Sequence, residues 1–234
     1  DTVTPERLRP LGVDRVEMIL CTQYRRPNTA GAYAYLAQGA QLVAPAAERH
    51  LFDGVEAGYW PNWRHRWHLY QYQPGPAVPV RNLPVARTVA EGEEIAWEGY
   101  TIRVLETPGA TGGAVSYVVE AGGRTVCFCG DVLCGPGQVW DLYSLQKGFD
   151  GLWDYHGFLG GRRQLLPSLE KLGACGADLL IPAHGAPISD PTEACRLTRE
   201  RLEALWRNYT GISALNYYFP PLFAETAGDP QRIA

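Results

Sequence analysis

Apolar positions along the chain alternate between strand-like runs and helical spacing, and the changes of period divide it into elements. Thr4-Pro5 offers a hydroxyl cap and a first-turn proline, so a short helix is expected from there to about Gly12. Val16-Glu17-Met18-Ile19-Leu20-Cys21 then reads as a mostly buried strand. After a loop over residues 22–28, the Ala-rich stretch from Thr29 to Gln38, stopped by Gly39, predicts a short helix, and Leu42-Val43-Ala44 a second buried strand. Strand, loop, helix, strand in that order is a βαβ-type signal.

Residues 59–72 are crowded with aromatics, and Trp60, Trp63 and Trp67 fall on one helical face, with His65 and His68 among them. Such a stripe either packs on the body of the protein or walls a cleft. Beyond Pro79 the pattern turns to β. One hairpin joins Glu94–Trp97 to Tyr100–Leu105 through Glu98-Gly99, and another joins Val115–Val119 to Thr125–Cys129 through Ala121-Gly122-Gly123. Leu165, Leu166, Leu169 and Leu172 restore a helical period, which Pro167 predicts to start late or kink. Ala177–Pro182 reads as a short buried strand. Asp190-Pro191-Thr192-Glu193 opens a last helix with Ala194, Leu197, Leu202 and Leu205 inward. No internal repeat or composition shift marks a boundary.

Composition narrows the function classes. Lys+Arg 21 against Asp+Glu 25 leaves a net charge of −4, which argues against nucleic acid as a partner. The absence of an apolar run of membrane-spanning length argues against a membrane span, and a cytoplasmic location with reduced thiols is expected for the six scattered cysteines. Gly 26 and Pro 18 imply many tight turns. No GxSxG elbow or Walker-type phosphate loop is present.

Three stretches stand at the ends of expected strands: Thr107-Pro108-Gly109-Ala110-Thr111-Gly112-Gly113, Phe128-Cys129-Gly130-Asp131 and Ile181-Pro182-Ala183-His184-Gly185. Their order resembles the metallo-β-lactamase-fold hydrolase superfamily, in which a TPGHTxGS turn, a GD after a strand and a late PxHG follow an HxHxDH loop. That loop falls on Gln23-Tyr24-Arg25-Arg26-Pro27-Asn28. The resemblance covers about residues 14–190. It implies an α/β fold, the αββα sandwich of two mixed sheets flanked by helices, with N-terminal strands missing from this chain. The expected domain is residues 1–208, and the aromatic stretch 209–234 is a tail or the start of further chain, so the sequence is expected to be a piece of a longer polypeptide.

The resemblance also implies a dinuclear zinc site, built from imidazoles and carboxylates around an acidified water. Of its seven ligand positions, only Asp131 and His184 keep the family's residue. Gln23, Arg25, Pro27 and Asn28 replace the loop ligands, and Ala110 replaces the histidine of the TPGHT turn. Arginine is always protonated and opposes a cation, so Arg25 or Arg26 is expected in the old metal position, paired with Asp131; the alternative is a hydrated Asp131. A substitute site using Cys129, Asp131, Cys134 and His184 matches no zinc spacing. Two readings follow: a non-catalytic domain binding a small-molecule ligand or protein partner in a cleft bordered by Asp131, His184, Arg25, Arg26 and the tryptophan wall, with no metal at the dinuclear site; or a residual mononuclear hydrolase of ester, thioester or amide bonds, holding Zn if any metal. Val139–Tyr143 and Gly157–Gly161 fall where loops bordering the cleft are expected.

Overall fold

The computed structural model describes residues 4–61, 78–139 and 157–211. The first helix is one α-helical turn, α1 (Pro5–Leu8), running into a 3-10 turn at Arg9–Leu11. β1 (Met18–Leu20) and β2 (Gln41–Pro45) pair in parallel, as the βαβ signal requires. The helix between them is divided into α2 (Arg26–Thr29) and α3 (Ala32–Leu36). Pro27 sets a helical turn earlier than the alanines do, and Gly31 separates that turn from the next. α4 (His50–Asp53) and a π-helical turn at Val55–Tyr59 follow. A third strand that the sequence reading did not single out, β3 (Val85–Val89), then pairs in parallel with β2. Its apolar ends flank Ala86, Arg87 and Thr88, so no clean alternation announces it.

The second sheet has the order β4 (Glu94–Trp97), β5 (Tyr100–Glu106), β6 (Val115–Ala121), β7 (Arg124–Gly130) and β8 (Leu179–Pro182). The expected hairpins make its first four strands antiparallel, and β8 joins β7 in parallel after α5 (Gly157–Gly173). α5 begins ten residues before Pro167 rather than after it, and it includes residues 157–161, which were expected as a loop. α6 (Pro191–Gly211) starts as expected, with the Asp190 carboxylate accepting the Glu193 N–H at 3.0 Å, and continues past residue 208. Leu205 is exposed, and Trp206 is buried in its stead.

Period-2 alternation sorts the strand residues into layers. Val43, Val104, Val115 and Tyr117 face the space between the sheets, together with Val89, Ile95 and Ile102. Leu42 and Ala44 face the opposite way, onto α4 residues Leu51 and Phe52. Val118, Cys127 and Cys129 face α5 and α6 through Leu165, Leu169, Leu172 and Leu202. Helices, sheet, sheet, helices is the αββα sandwich.

One buried carboxylate fastens the loops at the strand ends. Glu48, 3% exposed, accepts the backbone N–H of Tyr24 at 3.0 Å and of Gly113 at 2.9 Å. It thereby joins the loop after β1 to the turn between β5 and β6. Burial pushes its carboxyl up from the ordinary value, opposed by the Thr111 hydroxyl, these two N–H groups and the Arg25 charge.

Truncating Leu180, which is fully buried on β8, to alanine should cost about 2–5 kcal/mol in urea unfolding. Glu48→Gln, which cannot accept both N–H groups equally, should cost about 1–3 kcal/mol. Because the folded-state value is raised, the folded chain binds more protons than the unfolded one. The Glu48 contribution therefore declines as pH rises from the unfolded carboxyl range through the raised value. Unfolding midpoints between about pH 4 and pH 7 should show that slope in the wild type and lose it in Glu48→Gln.

Candidate functional site

The C-terminal ends of β5, β7 and β8 lie at one end of the second sheet, and the loop after β1 closes over them. That loop is pinned before it reaches the site: the Cys21 carbonyl accepts the Tyr117 hydroxyl at 2.9 Å, and the Thr22 carbonyl accepts the Val115 N–H at 2.9 Å. Gln23 follows, with its side chain fully buried. Asn28 is delivered by α2, whose first turn Pro27 occupies. Parallel pairing continues past the strands through the Ala183 N–H on the Gly130 carbonyl at 2.8 Å, which sets Asp131 beside His184. Two glycines make this approach possible. A Cβ on Gly130 would lie 2.7 Å from the Thr22 hydroxyl, and one on Gly185 would lie 2.0 Å from the Cys134 carbonyl oxygen; both have positive φ.

Asp131 is the centre of the arrangement, with its side chain 6% exposed. Its Oδ2 accepts from Gln23 Nε2 at 2.5 Å and from Asn28 Nδ2 at 2.8 Å. Its Oδ1 faces His184 Nδ1 at 2.7 Å. Three groups from loop 22–28 and the β8 turn thus surround one carboxylate. The Gln23 carbonyl oxygen is buried with no hydrogen-bond partner among the described residues.

The sequence reading put an arginine in this place, and the structure corrects it. Amides take the role: a neutral N–H donor fits a nearly sealed carboxylate without burying a second full charge. Arg25 is buried on the other side of its loop, where its charge acts on the Tyr24 phenol and the Glu48 carboxylate. Arg26 is exposed at the start of α2. Ala110 is buried in the turn after β5 and offers no donor atom. Trp60 donates its indole N–H to the Pro79 carbonyl at 3.1 Å and packs against Tyr59, which is the packing reading of the stripe for this residue. Trp63, Trp67, His65 and His68 lie outside the described residues, as do residues 140–143 of the expected cleft loop.

The donor set does not fit a dinuclear zinc centre. Both oxygens of Asp131 are engaged by hydrogen-bond partners, the loop contributes amides rather than imidazoles, and no group of three His, Cys, Asp or Glu among the described residues is placed to hold a metal. The thiols do not repair this. Cys129 faces the α5/α6 core, where burial pushes it up to about 12, and burial also raises Cys134. A cleft of about 330 Å³ is lined by Leu20, Thr22, Tyr117, Phe128 and Ile181 and reaches Gly130 and Ala183, the chain neighbours of Asp131 and His184, without being lined by either of those two side chains. Glu48 is the part of the site region that the sequence reading did not name, and Gln23 and Asn28, named there only as substituted ligand positions, are donors to Asp131. A lone acid in the Ala-rich 44–48 segment was the one signal for Glu48.

Comparison with known proteins agrees with the fold. The family model described as the metallo-beta-lactamase superfamily matches residues 39–184. The hydroxyacylglutathione hydrolase of Rhodospirillum rubrum is 31% identical over 162 residues, which are 68% of this chain and 55% of that protein. The chain thus spans about half the length of this curated relative. The metallo-beta-lactamase MIM-1 of Novosphingobium pentaromativorans superposes with a TM-score of 0.64 at 17% identity, over 90% of this chain and 77% of that one. A Cronobacter sakazakii metallo-beta-lactamase with a HARLDQ motif superposes with a TM-score of 0.58 at 16% identity, over 87% and 80%. Its motif has arginine third and an amide last, as Gln23–Asn28 does, but keeps the histidine and aspartate that Gln23 and Pro27 replace here. Because the family match runs from the start of β2 to His184 itself, over more than half of the residues, this chain belongs to the metallo-beta-lactamase superfamily.

Proposed function

We propose that this superfamily member does not assemble the dinuclear zinc centre and uses its cleft to bind a small-molecule ligand or a protein partner without hydrolysing it. The observation that carries this reading is the hydrogen bonding of Asp131 by Gln23, Asn28 and His184. A metal at Asp131 would have to displace donors whose charge-assisted hydrogen bonds are worth about 1.5–3 kcal/mol each. In return it would gain one carboxylate and one imidazole, fewer than the three protein ligands a catalytic zinc ordinarily has. On this reading the ligand surface extends from the cleft, which reaches Gly130 and Ala183, toward Asp131 and His184 next to them in the chain, and Arg26 is exposed on the loop that carries Gln23 and Asn28.

A second reading is favoured by the 31% identity to a hydroxyacylglutathione hydrolase. On that reading Asp131 and His184 hold a single metal ion, zinc in the first instance, and the chain hydrolyses an ester, thioester or amide bond. The HARLDQ relative supports it less than its letters suggest, because that motif retains two ligand types this loop has lost.

Elemental analysis after incubation with Zn²⁺ and desalting separates the two readings. Metal at background in both the wild type and Asp131→Ala is the expected result. About one equivalent per chain, lost in Asp131→Ala, would establish the mononuclear site and overturn the binding-domain reading. Asp131→Asn, which sets an amide N–H where a carboxylate oxygen accepted from surrounding donors, should lower stability by about 1–3 kcal/mol even in chelator. Zn²⁺ should leave the wild-type melting temperature unchanged.

A further inference from the structure

Away from the Asp131 site, four of the six cysteines gather on the outer face of the second sheet. Cys127 and Cys129 stand two apart on β7 and point to the same side, where Cys195 of α6 is buried with them. Cys175, in the turn between α5 and β8, packs against this group from the edge and is partly exposed. All are free thiols. The turn is held in place: the Cys175 amide donates to the Leu172 carbonyl at 3.4 Å, and the Cys175 carbonyl accepts Arg103 Nη2 at 3.2 Å. Behind it, the Asp178 N–H donates to the Thr125 carbonyl at 2.8 Å and the Thr125 N–H to the Asp178 carboxylate at 2.7 Å, anchoring the connection to β7 two residues from Cys127.

We propose that Cys175 is a nucleophilic thiol that reacts with small-molecule disulfides of the glutathione class, and that Cys127 resolves the adduct into a Cys127–Cys175 disulfide. Cys175 packs against the buried group that contains the Cys127 thiol, close enough for each thiol to act on the other's ionisation, and the Ala177 backbone acts on the Cys175 sulfur. With the Arg103 charge beside it, these contacts hold Cys175 well below the usual thiol range, whereas the Cys175 contact and burial push Cys127 up. The thiol that is lowered is the partly exposed one, and the thiol that is raised is sealed behind it.

The chemistry balances in two exchanges. The Cys175 thiolate attacks one sulfur of the external disulfide, forming a mixed disulfide and releasing one small thiolate. The Cys127 sulfur then attacks the Cys175 sulfur, and the second small thiol leaves with the Cys127 proton. The chain loses two electrons, and the external disulfide, reduced to two thiols, gains them. Burial pushes Cys129 and Cys195 up to about 12, so neither competes as the attacking group.

The test uses the reduced chain with oxidised glutathione at pH 7, followed by alkylation under denaturing conditions and peptide mapping without reductant. A linked Cys127–Cys175 peptide pair, about 2 Da lighter than the free peptides together, is expected. Cys127→Ser should instead accumulate the glutathione adduct on Cys175. In brief labelling with iodoacetamide, wild-type Cys175 should react about tenfold faster than Cys134, the other partly exposed thiol, with a rate that levels off below the pH of an ordinary thiol. Cys134 labelled first, or glutathione treatment that leaves Cys127 and Cys175 unlinked, would overturn the proposal. Because the labelling and the link are both read on the wild type, failure of a variant to fold leaves the test intact.

Discussion

A carboxylate nearly sealed from water has to be surrounded by cations or by hydrogen-bond donors, and the end of this sandwich is organised around that requirement. Asp131 is held at the tip of β7 by a glycine turn that admits no larger residue, so its position is fixed before its partners are considered. Two amides and an imidazole then meet it from loops far away in sequence. Each makes sense only with the others. Without Gln23 and Asn28, Oδ2 would be left buried and unpaired; without Asp131, two amide donors would face nothing.

The rest of the scaffold serves to bring these groups to one place. Tyr117 and Val115 of the second sheet grip the backbone just before Gln23, while Glu48 grips it just after, at Tyr24. The loop is thus held on both sides of the residue that enters the site. Glu48 extends the same grip to Gly113 in the turn that carries Ala110, so the loop after β1 and the turn between β5 and β6 share hydrogen bonds to one buried carboxylate. A cleft fixed by its backbone in this way can change its side chains extensively while keeping its shape, which is how the fold persists here with so little of the family's ligand set.

Much of the architecture was legible because it follows from local pattern. The two hairpins, the βαβ unit and the capped final helix rest on alternation, turn residues and caps, all written within a few neighbouring positions. β3 was not legible, since only Val85 and Val89 are apolar at its two ends and its pairing with β2 carries a register shift. Of the two readings at Pro167 the late start is excluded, because a proline in the middle of a helix is tolerated when packing on a large core outweighs the lost bond, and α5 lies on Leu165, Leu169 and Leu172. In the site, the motif order located Asp131 and His184. The partner of Asp131 was read as arginine on grounds of charge, and no local pattern reveals that a side chain 108 residues away presents an N–H at 2.5 Å. Tertiary geometry decided between two residues of one short loop.

The amide cage also bears on how such a sequence can change over generations. Gln23→His or Asn28→His would each take an amide N–H away from Asp131 and, with Asp131 and His184, bring the imidazole and carboxylate groups there to three, so a single step exchanges a hydrogen bond for a candidate ligand. Pro27 bears on the second of these, since it shapes the first turn of α2 that presents Asn28. The identity of residues 23 and 28 therefore sets whether Asp131 is held by hydrogen-bond donors or by groups able to share an ion with it, and the two states are one substitution apart.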